Sequence, residues 1–267
     1  MEHIGVFYDL IPHKKINGSL FYAFEYFVFL NKFKKTVFYI SNIRDEYIGE
    51  LKEVFKNRYN FNNHLLDRII AIKTIKQYTL INKNIKKALF VDVRSYENIH
   101  AFLNCPLVIY SNEAHEITTK KPHKVFGYYD YQNFQIKEKL KFNFEIYKPI
   151  SNKKTNTALV TRVLGAENVI HKIDIKENNI IYKPKEHAIE SVFEKFDTLY
   201  YYHSFLDTNN RLIVESLYYN KNVEIIYTGL KKDSVYYRYN DIMNNGVDGY
   251  RLTKDDLIIQ EMLSENS

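Results

Sequence analysis

Short apolar runs alternate with helical stretches from the first residues of the chain, the pattern of strands joined by crossover helices in a parallel sheet. Residues 3–8 predict a strand, and a polar loop over 9–17 leads through Gly18 and Ser19 into a strongly apolar helix over 20–31. A second strand over 36–41 is followed by helical segments from Asp45 to about Ile81. Residues 88–93 read as a third strand, 96–103 as a short helix, 107–111 as a fourth strand and 125–129 as a fifth. The runs Ala88-Leu89-Phe90-Val91 and Leu107-Val108-Ile109-Tyr110 are continuously apolar, as buried parallel strands are.

The polar segment 147–156, which carries Lys148, Pro149, Lys153 and Lys154, is the best linker in the chain. The strand–helix rhythm restarts after it. Strands are expected over 157–161, 180–182, 198–202 and 223–227, with helices over 190–196 and 211–219. A final amphipathic helix over 253–263 places Leu257, Ile258 and Met262 on one face. The chain thus divides into residues 1–150, residues 151–250 and a C-terminal helix within 251–267. Two successive α/β units place a ligand at the carboxyl ends of their strands.

Composition changes this picture little. The 267 residues are 45% hydrophobic, enough for real cores, and neither long charge blocks nor low-complexity tracts interrupt them. The longest apolar run, Leu20 to Leu30, is interrupted by Glu25 and falls short of the roughly 18–20 residues of a membrane helix. No integral membrane segment or signal-peptide layout is expected. The single cysteine, Cys105, excludes an internal disulfide and a Cys-based zinc cage, and points to a cytoplasmic location. A net charge of +6 suits an anionic partner, double-stranded DNA included. The abundance of Lys, Asn, Ile and Tyr expected of an AT-rich genome accounts for it equally well.

The most informative stretch runs from His203 to Ser216. A strand leads into a polar loop with Ser204 and Asp207, and the loop opens a helix whose first turn has free N–H groups suited to phosphate. Arg211 and Glu215 stand four apart and project together. A cation matches a pyrophosphate, and a carboxylate matches the vicinal hydroxyls of a ribose. The plain alternative is a surface i,i+4 ion pair. Against it stand the Arg-before-Glu order and the apolar residues Leu212, Ile213, Val214 and Leu217.

Strand, polar loop and Asp-x-x-x-Arg-Leu-x-x-Glu-Ser resemble the nucleotide-sugar signature of GT-B glycosyltransferases. The order of elements along the whole chain resembles that family too. The resemblance implies two Rossmann-like domains with a central cleft, an acceptor domain (1–150), a donor domain (151–250) and a C-terminal helix packing back on the first. It implies that Glu215 binds the ribose of a nucleotide-sugar, UDP-linked by preference, and that Arg211 contacts the phosphates. Arg162 falls at the family's phosphate-binding basic position, Lys183 is a second candidate cation, and His203 is a plausible donor contact. Asn17-Gly18-Ser19 is similar to the family's glycine loop, although Gly-Ser before a helix is also an ordinary cap. Within the family, Ser19-Leu20-Phe21-Tyr22 and a carboxylate past the fourth strand resemble the small phage DNA glucosyltransferases. A phage origin would place the protein in the host cytoplasm.

An inverting transfer needs a carboxylate base near the acceptor hydroxyl. Candidates at strand ends are Asp9, Asp92, Glu113 and Asp130; Glu113 stands first, where the phage enzymes keep their base, and Asp92 second. Asp92 read instead as a sheet-end carboxylate pairs with Arg94. Glu113, His115 and Glu116 lack further spaced ligands, so no metal site is expected, and no cofactor beyond the donor. Three functions follow: transfer to a hydroxymethylated DNA base, transfer to a cell-surface glycan or lipid-linked acceptor, and non-catalytic nucleic-acid binding.

Overall fold

The computed structural model describes residues 1–10, 18–110, 121–127, 129–130, 135–136, 139–151, 154–160, 180–182, 193–203, 211–227 and 246–265. The chain divides into two compact units, Met1–Tyr147 with Arg251–Ser267, and Lys148–Tyr250.

The first unit is built on a six-stranded sheet. Its strands are β1 (His3–Asp9), β2 (Thr36–Ser41), β3 (Ile69–Ile72), β4 (Ile85–Phe90), β5 (Leu107–Tyr110) and β6 (His123–Phe126). All pair in parallel, in the order β3-β2-β1-β4-β5-β6, which is Rossmann-like and reverses between β1 and β4. The helices are α1 (Gly18–Leu30), α2 (Asp45–Arg58), α3 (Ile75–Asn82) and α4 (Val93–Ile99). A two-stranded antiparallel ribbon, β7 (Tyr129–Asp130) with β8 (Gln135–Ile136), follows.

Three expectations are corrected. The helical stretch expected up to Ile81 contains an edge strand, β3, because a run of four residues has no periodicity of its own and pairing with β2 decides its state. β4 starts at Ile85 and stops at Phe90, earlier at both ends than the apolar run suggested. The extension brings in Lys87, which is 4% exposed. The third correction concerns the C-terminal helix and is taken up below.

Strand alternation sorts the two faces of the sheet. Phe7, Tyr39, Phe90 and Ile109 share a cluster with Tyr78 of α3 and with Tyr96 and Ile99 of α4. On the opposite face Phe38 packs with Phe24 and Phe27 of α1 and with Phe55 of α2. Phe24 and Phe55 stack with centroids 3.9 Å apart.

Every residue of α1 from Leu20 to Leu30 is buried. A helix apolar all round has no solvent side, so it must be covered on every face. Within it Glu25 is fully buried. Its Oε1 accepts from the Tyr59 hydroxyl at 2.6 Å and the Tyr147 hydroxyl at 2.9 Å, and its Oε2 from the Asn143 N–H at 2.9 Å. Tyr59 and Tyr147 also form an isolated antiparallel bridge. A second bridge joins Phe142 to Arg251, and Leu252 N–H donates to the Phe142 carbonyl at 2.8 Å. The two points where the chain leaves and rejoins this unit are therefore stitched to each other, and the outgoing one is hydrogen-bonded to α1.

The returning segment ends in α6 (Leu257–Leu263), after α5, which belongs to the second unit. Asp256 caps α6 by accepting from Ile258 N–H and Ile259 N–H. The helix packs on β4 and β5 with Ile258, Ile259 and Met262. Leu257, expected on this face, is 46% exposed, because the cap fixes a phase one residue later. Lys87 reaches the C-terminal end of α6, donating to the Glu261 carbonyl at 2.7 Å and the Ser264 hydroxyl at 2.9 Å. A cation there complements the helix dipole. Burial nevertheless holds the Lys87 ammonium below its usual range, with Glu261 pulling the other way.

The second unit carries a four-stranded parallel sheet, β10-β9-β11-β12. The strands are β9 (Ala158–Val160), β10 (Ile180–Tyr182), β11 (Thr198–His203) and β12 (Asn222–Tyr227), and α5 (Arg211–Tyr218) packs on β11 and β12. Asp197 pins the chain ahead of β9 by accepting from Thr155 N–H at 2.9 Å and Asn156 N–H at 2.6 Å. Here the strand order reverses between β9 and β11. Among the described residues no helix is long and apolar enough to cross a membrane.

Removing the Glu25 carboxylate strands three buried donors. Glu25→Ala is expected to lower the stability of the chain by about 2–3 kcal/mol in urea unfolding, because buried donors lose their acceptor. A loss below about 1 kcal/mol would show that the carboxylate is not structural.

Candidate functional site

In the second unit, β11 ends at His203 on the carboxyl edge beside the reversal of strand order, and α5 begins at Arg211. The helix forms because Leu212, Ile213 and Val214 bury against the sheet. It ends in a Schellman turn: Asn220 takes φ 55°, Lys221 N–H donates to the Ser216 carbonyl, and Asn220 N–H to the Leu217 carbonyl.

Arg211 and Glu215 lie within this buried helix, 7% and 1% exposed. The Arg211 Nη2 donates to Glu215 Oε1 at 2.7 Å, and its Nε to the same oxygen at 3.2 Å. The alternative set against a ligand site was a surface pair, and this pair is not on the surface. The Arg-before-Glu order, a weakness on an exposed helix, matters little for a pair that is buried. The arrangement holds a guanidinium in the first turn of a helix and a carboxylate one turn on, both withdrawn from bulk water. That is a pairing competent to meet a phosphate and a hydroxyl.

Arg162, Lys183, Ser204 and Asp207 lie outside the described residues, and so does the side chain of His203. Glu113, with His115 and Glu116, is also outside them. Among the described residues there is no cluster of three potential metal-ligating side chains.

In the first unit, Gly18 and Ser19 form the opening turn of α1 rather than the loop before it. Asp92 is the N-cap of α4: its Oδ1 accepts from Arg94 N–H at 2.8 Å and Ser95 N–H at 3.4 Å. Its contact with Arg94 is to the backbone amide. This use of one carboxylate oxygen is what the cap requires.

The carboxylate that the strand order singles out is Asp9, which the sequence reading named but ranked below Glu113 and Asp92. It closes β1 beside the reversal and is 4% exposed. Its Oδ1 accepts from Asn42 Nδ2 at 2.6 Å and from the Ser41 hydroxyl, and its Oδ2 from Asn98 Nδ2. Its N–H donates to Ser95 Oγ at 2.9 Å. Asn42 holds φ 56°, a left-handed turn straight after β2 that Asn tolerates better than most residues. Burial raises the Tyr78 phenol above its usual range; its hydrogen bond with Ser41 opposes that rise, and the Asp9 charge adds to it. The network ties the carboxyl ends of β1 and β2 to α4. The signal for it lay in Asp9 and Asn42, each directly after an apolar run.

Asp92→Ala is expected to cost about 1 kcal/mol in thermal unfolding, the value of one N-cap. Asp9→Ala removes the acceptor of three side-chain donors and is expected to cost more, about 2–3 kcal/mol. Equal losses would mean that the Asp9 network is not a structural tie.

No family model matches the chain, and no curated protein matches it. A crystal structure of Acinetobacter baumannii MurG is similar over 92% of this chain and 84% of that chain, with a TM-score of 0.44 and 11% sequence identity. At that score the likeness decides neither activity nor ligand.

Proposed function

We propose that the chain is a nucleotide-sugar-dependent glycosyltransferase that takes a UDP-linked donor in its second unit. The observation that carries this reading is the buried Arg211–Glu215 pair at the start of α5, downstream of the carboxyl end of β11. Anionic groups favour helix N-termini and the reversal of strand order in open parallel sheets. On this reading Glu215 accepts from the ribose hydroxyls. Arg211, with Arg162 and Lys183, neutralises the diphosphate as it leaves, which is electrostatic stabilisation of developing charge. His203, Ser204 and Asp207 complete the donor loop, and Gly18 and Ser19 are proposed as further donor contacts. Glu113 is the proposed base, with Asp92 the alternative through whichever oxygen the cap leaves available.

The acceptor is proposed to be a hydroxymethylated base in duplex DNA, which is flipped out for reaction. A lipid-linked or cell-surface glycan acceptor is the second reading, favoured by the exposed aliphatic and cationic face of α3 (Ile75 66% and Leu80 68% exposed). The lone, buried Cys105 fits a cytoplasmic site of action.

A thermal-shift panel of UDP- and GDP-sugars tests the donor. Saturation at about a hundred times Kd is expected to add about 2.7 kcal/mol of stability. Glu215→Gln, which keeps an oxygen for Arg211, is expected to weaken that response by tenfold or more in donor concentration. A chain that responds to none of these donors is not this enzyme. Sugar incorporation into hydroxymethylcytosine DNA above unmodified DNA supports the DNA acceptor, and equal background in both rejects it.

A further inference from the structure

The helix α3 holds its place with one face only. Tyr78 is 7% exposed and stacks on Phe102 with centroids 5.0 Å apart, while Ile81 packs against the same cluster. A capping box between Thr74 and Gln77 fixes the first turn. The outward arc is then Ile75, Lys76, Thr79, Leu80 and Lys83, all exposed. Ile75 is 66% exposed and Leu80 68%, among the most exposed large apolar side chains described. Neither is needed to anchor the helix.

The neighbouring edge strand adds to this face. Ile70 of β3 is 41% exposed and pairs in register with Tyr39, which belongs to the α3-side cluster. Ile70 therefore projects from the same side of the sheet as α3. From Arg68 to Val91 the sequence holds Lys73, Lys76, Lys83, Lys86 and Lys87 and not one Asp or Glu. Across the layer α4 exposes Arg94 and Glu97.

We propose that this face, Ile75 and Leu80 flanked by Lys76 and Lys83, is a docking surface for anionic lipid. The chemistry selects that occupant. Aliphatic side chains set among lysines fit a bilayer interface, where the apolar tips reach the acyl boundary and the ammonium groups meet headgroup phosphates. A nucleic acid would use the lysines but give nothing to Ile75 and Leu80. A second copy meeting the same face across a two-fold axis would bring lysines against lysines. The surface rests on neither the donor chemistry nor the acceptor proposed above. It does decide where a lipid-linked acceptor would be found.

Co-sedimentation of the full chain with phosphatidylcholine vesicles, with and without phosphatidylglycerol, tests the proposal. Binding is expected only to the anionic vesicles and is expected to weaken with salt. Ile75→Ser with Leu80→Ser is expected to lower the partition about tenfold or more. Lys76→Gln with Lys83→Gln is expected to lower it about fivefold per lysine. These side chains are exposed, so melting temperatures should not change, and each pair of changes controls for the other. No binding to anionic vesicles, or binding indifferent to the aliphatic pair, overturns the proposal. So does a dimer in solution, or duplex-DNA binding, that is lost with Ile75→Ser and Leu80→Ser. Failure here with a donor response intact leaves the transferase standing, and the converse result leaves the lipid surface standing.

Discussion

The first unit depends on one buried carboxylate. A helix that is apolar on every side can be placed anywhere in a core, because dispersion and burial do not specify orientation. Glu25 removes that freedom. A carboxyl group is tolerable inside only where donors meet it, and among the described residues Tyr59, Tyr147 and Asn143 supply them. The chain must therefore bring the end of α2 and the segment before Lys148 to one side of α1. The aromatic contacts of Phe24 with Phe55 and Tyr59 then fill the space those bonds define. Because residues 251 and 252 pair with Phe142, the position of the returning segment follows from the same constraint.

Parallel sheets concentrate chemistry at one edge, and each unit has its own reversal of strand order there. The two edges differ in what their polar groups do. Around Asp9 the side chains of Ser41, Asn42 and Asn98 satisfy the carboxylate, and the result is rigidity: strand ends and α4 are locked together. At α5 an Arg211 guanidinium and a Glu215 carboxylate pair one turn apart within a buried helix.

Buried lysines show how little net charge says about location. Lys87 serves the C-terminal end of α6, and Lys221, its ammonium lowered by burial with Asp197 pulling the other way, sits below the strands of the second unit. Neither adds to a surface patch. Lys76 and Lys83 of the α3 segment do, because they are exposed together with aliphatic side chains the core does not use.

Much of the architecture was legible along the chain. Continuous apolar runs marked β1, β2, β5 and β11 to within a residue or two, since strands covered on both faces need no alternation. The motif of Arg211 and Glu215 was legible by spacing alone, and so was its apolar helix. What the sequence could not carry was whatever depends on a partner distant in the chain. β3 is a strand because β2 offers it hydrogen bonds. Lys87 is buried because α6 returns to accept its protons. Asp92 caps α4, which only the direction of that helix reveals. Glu25 stood without any assigned role, as its three donors come from residues 34 or more positions away. Local pattern determined most of the elements, because burial shapes their apolar runs; pairing across the fold decided β3 and which polar groups hold the units together.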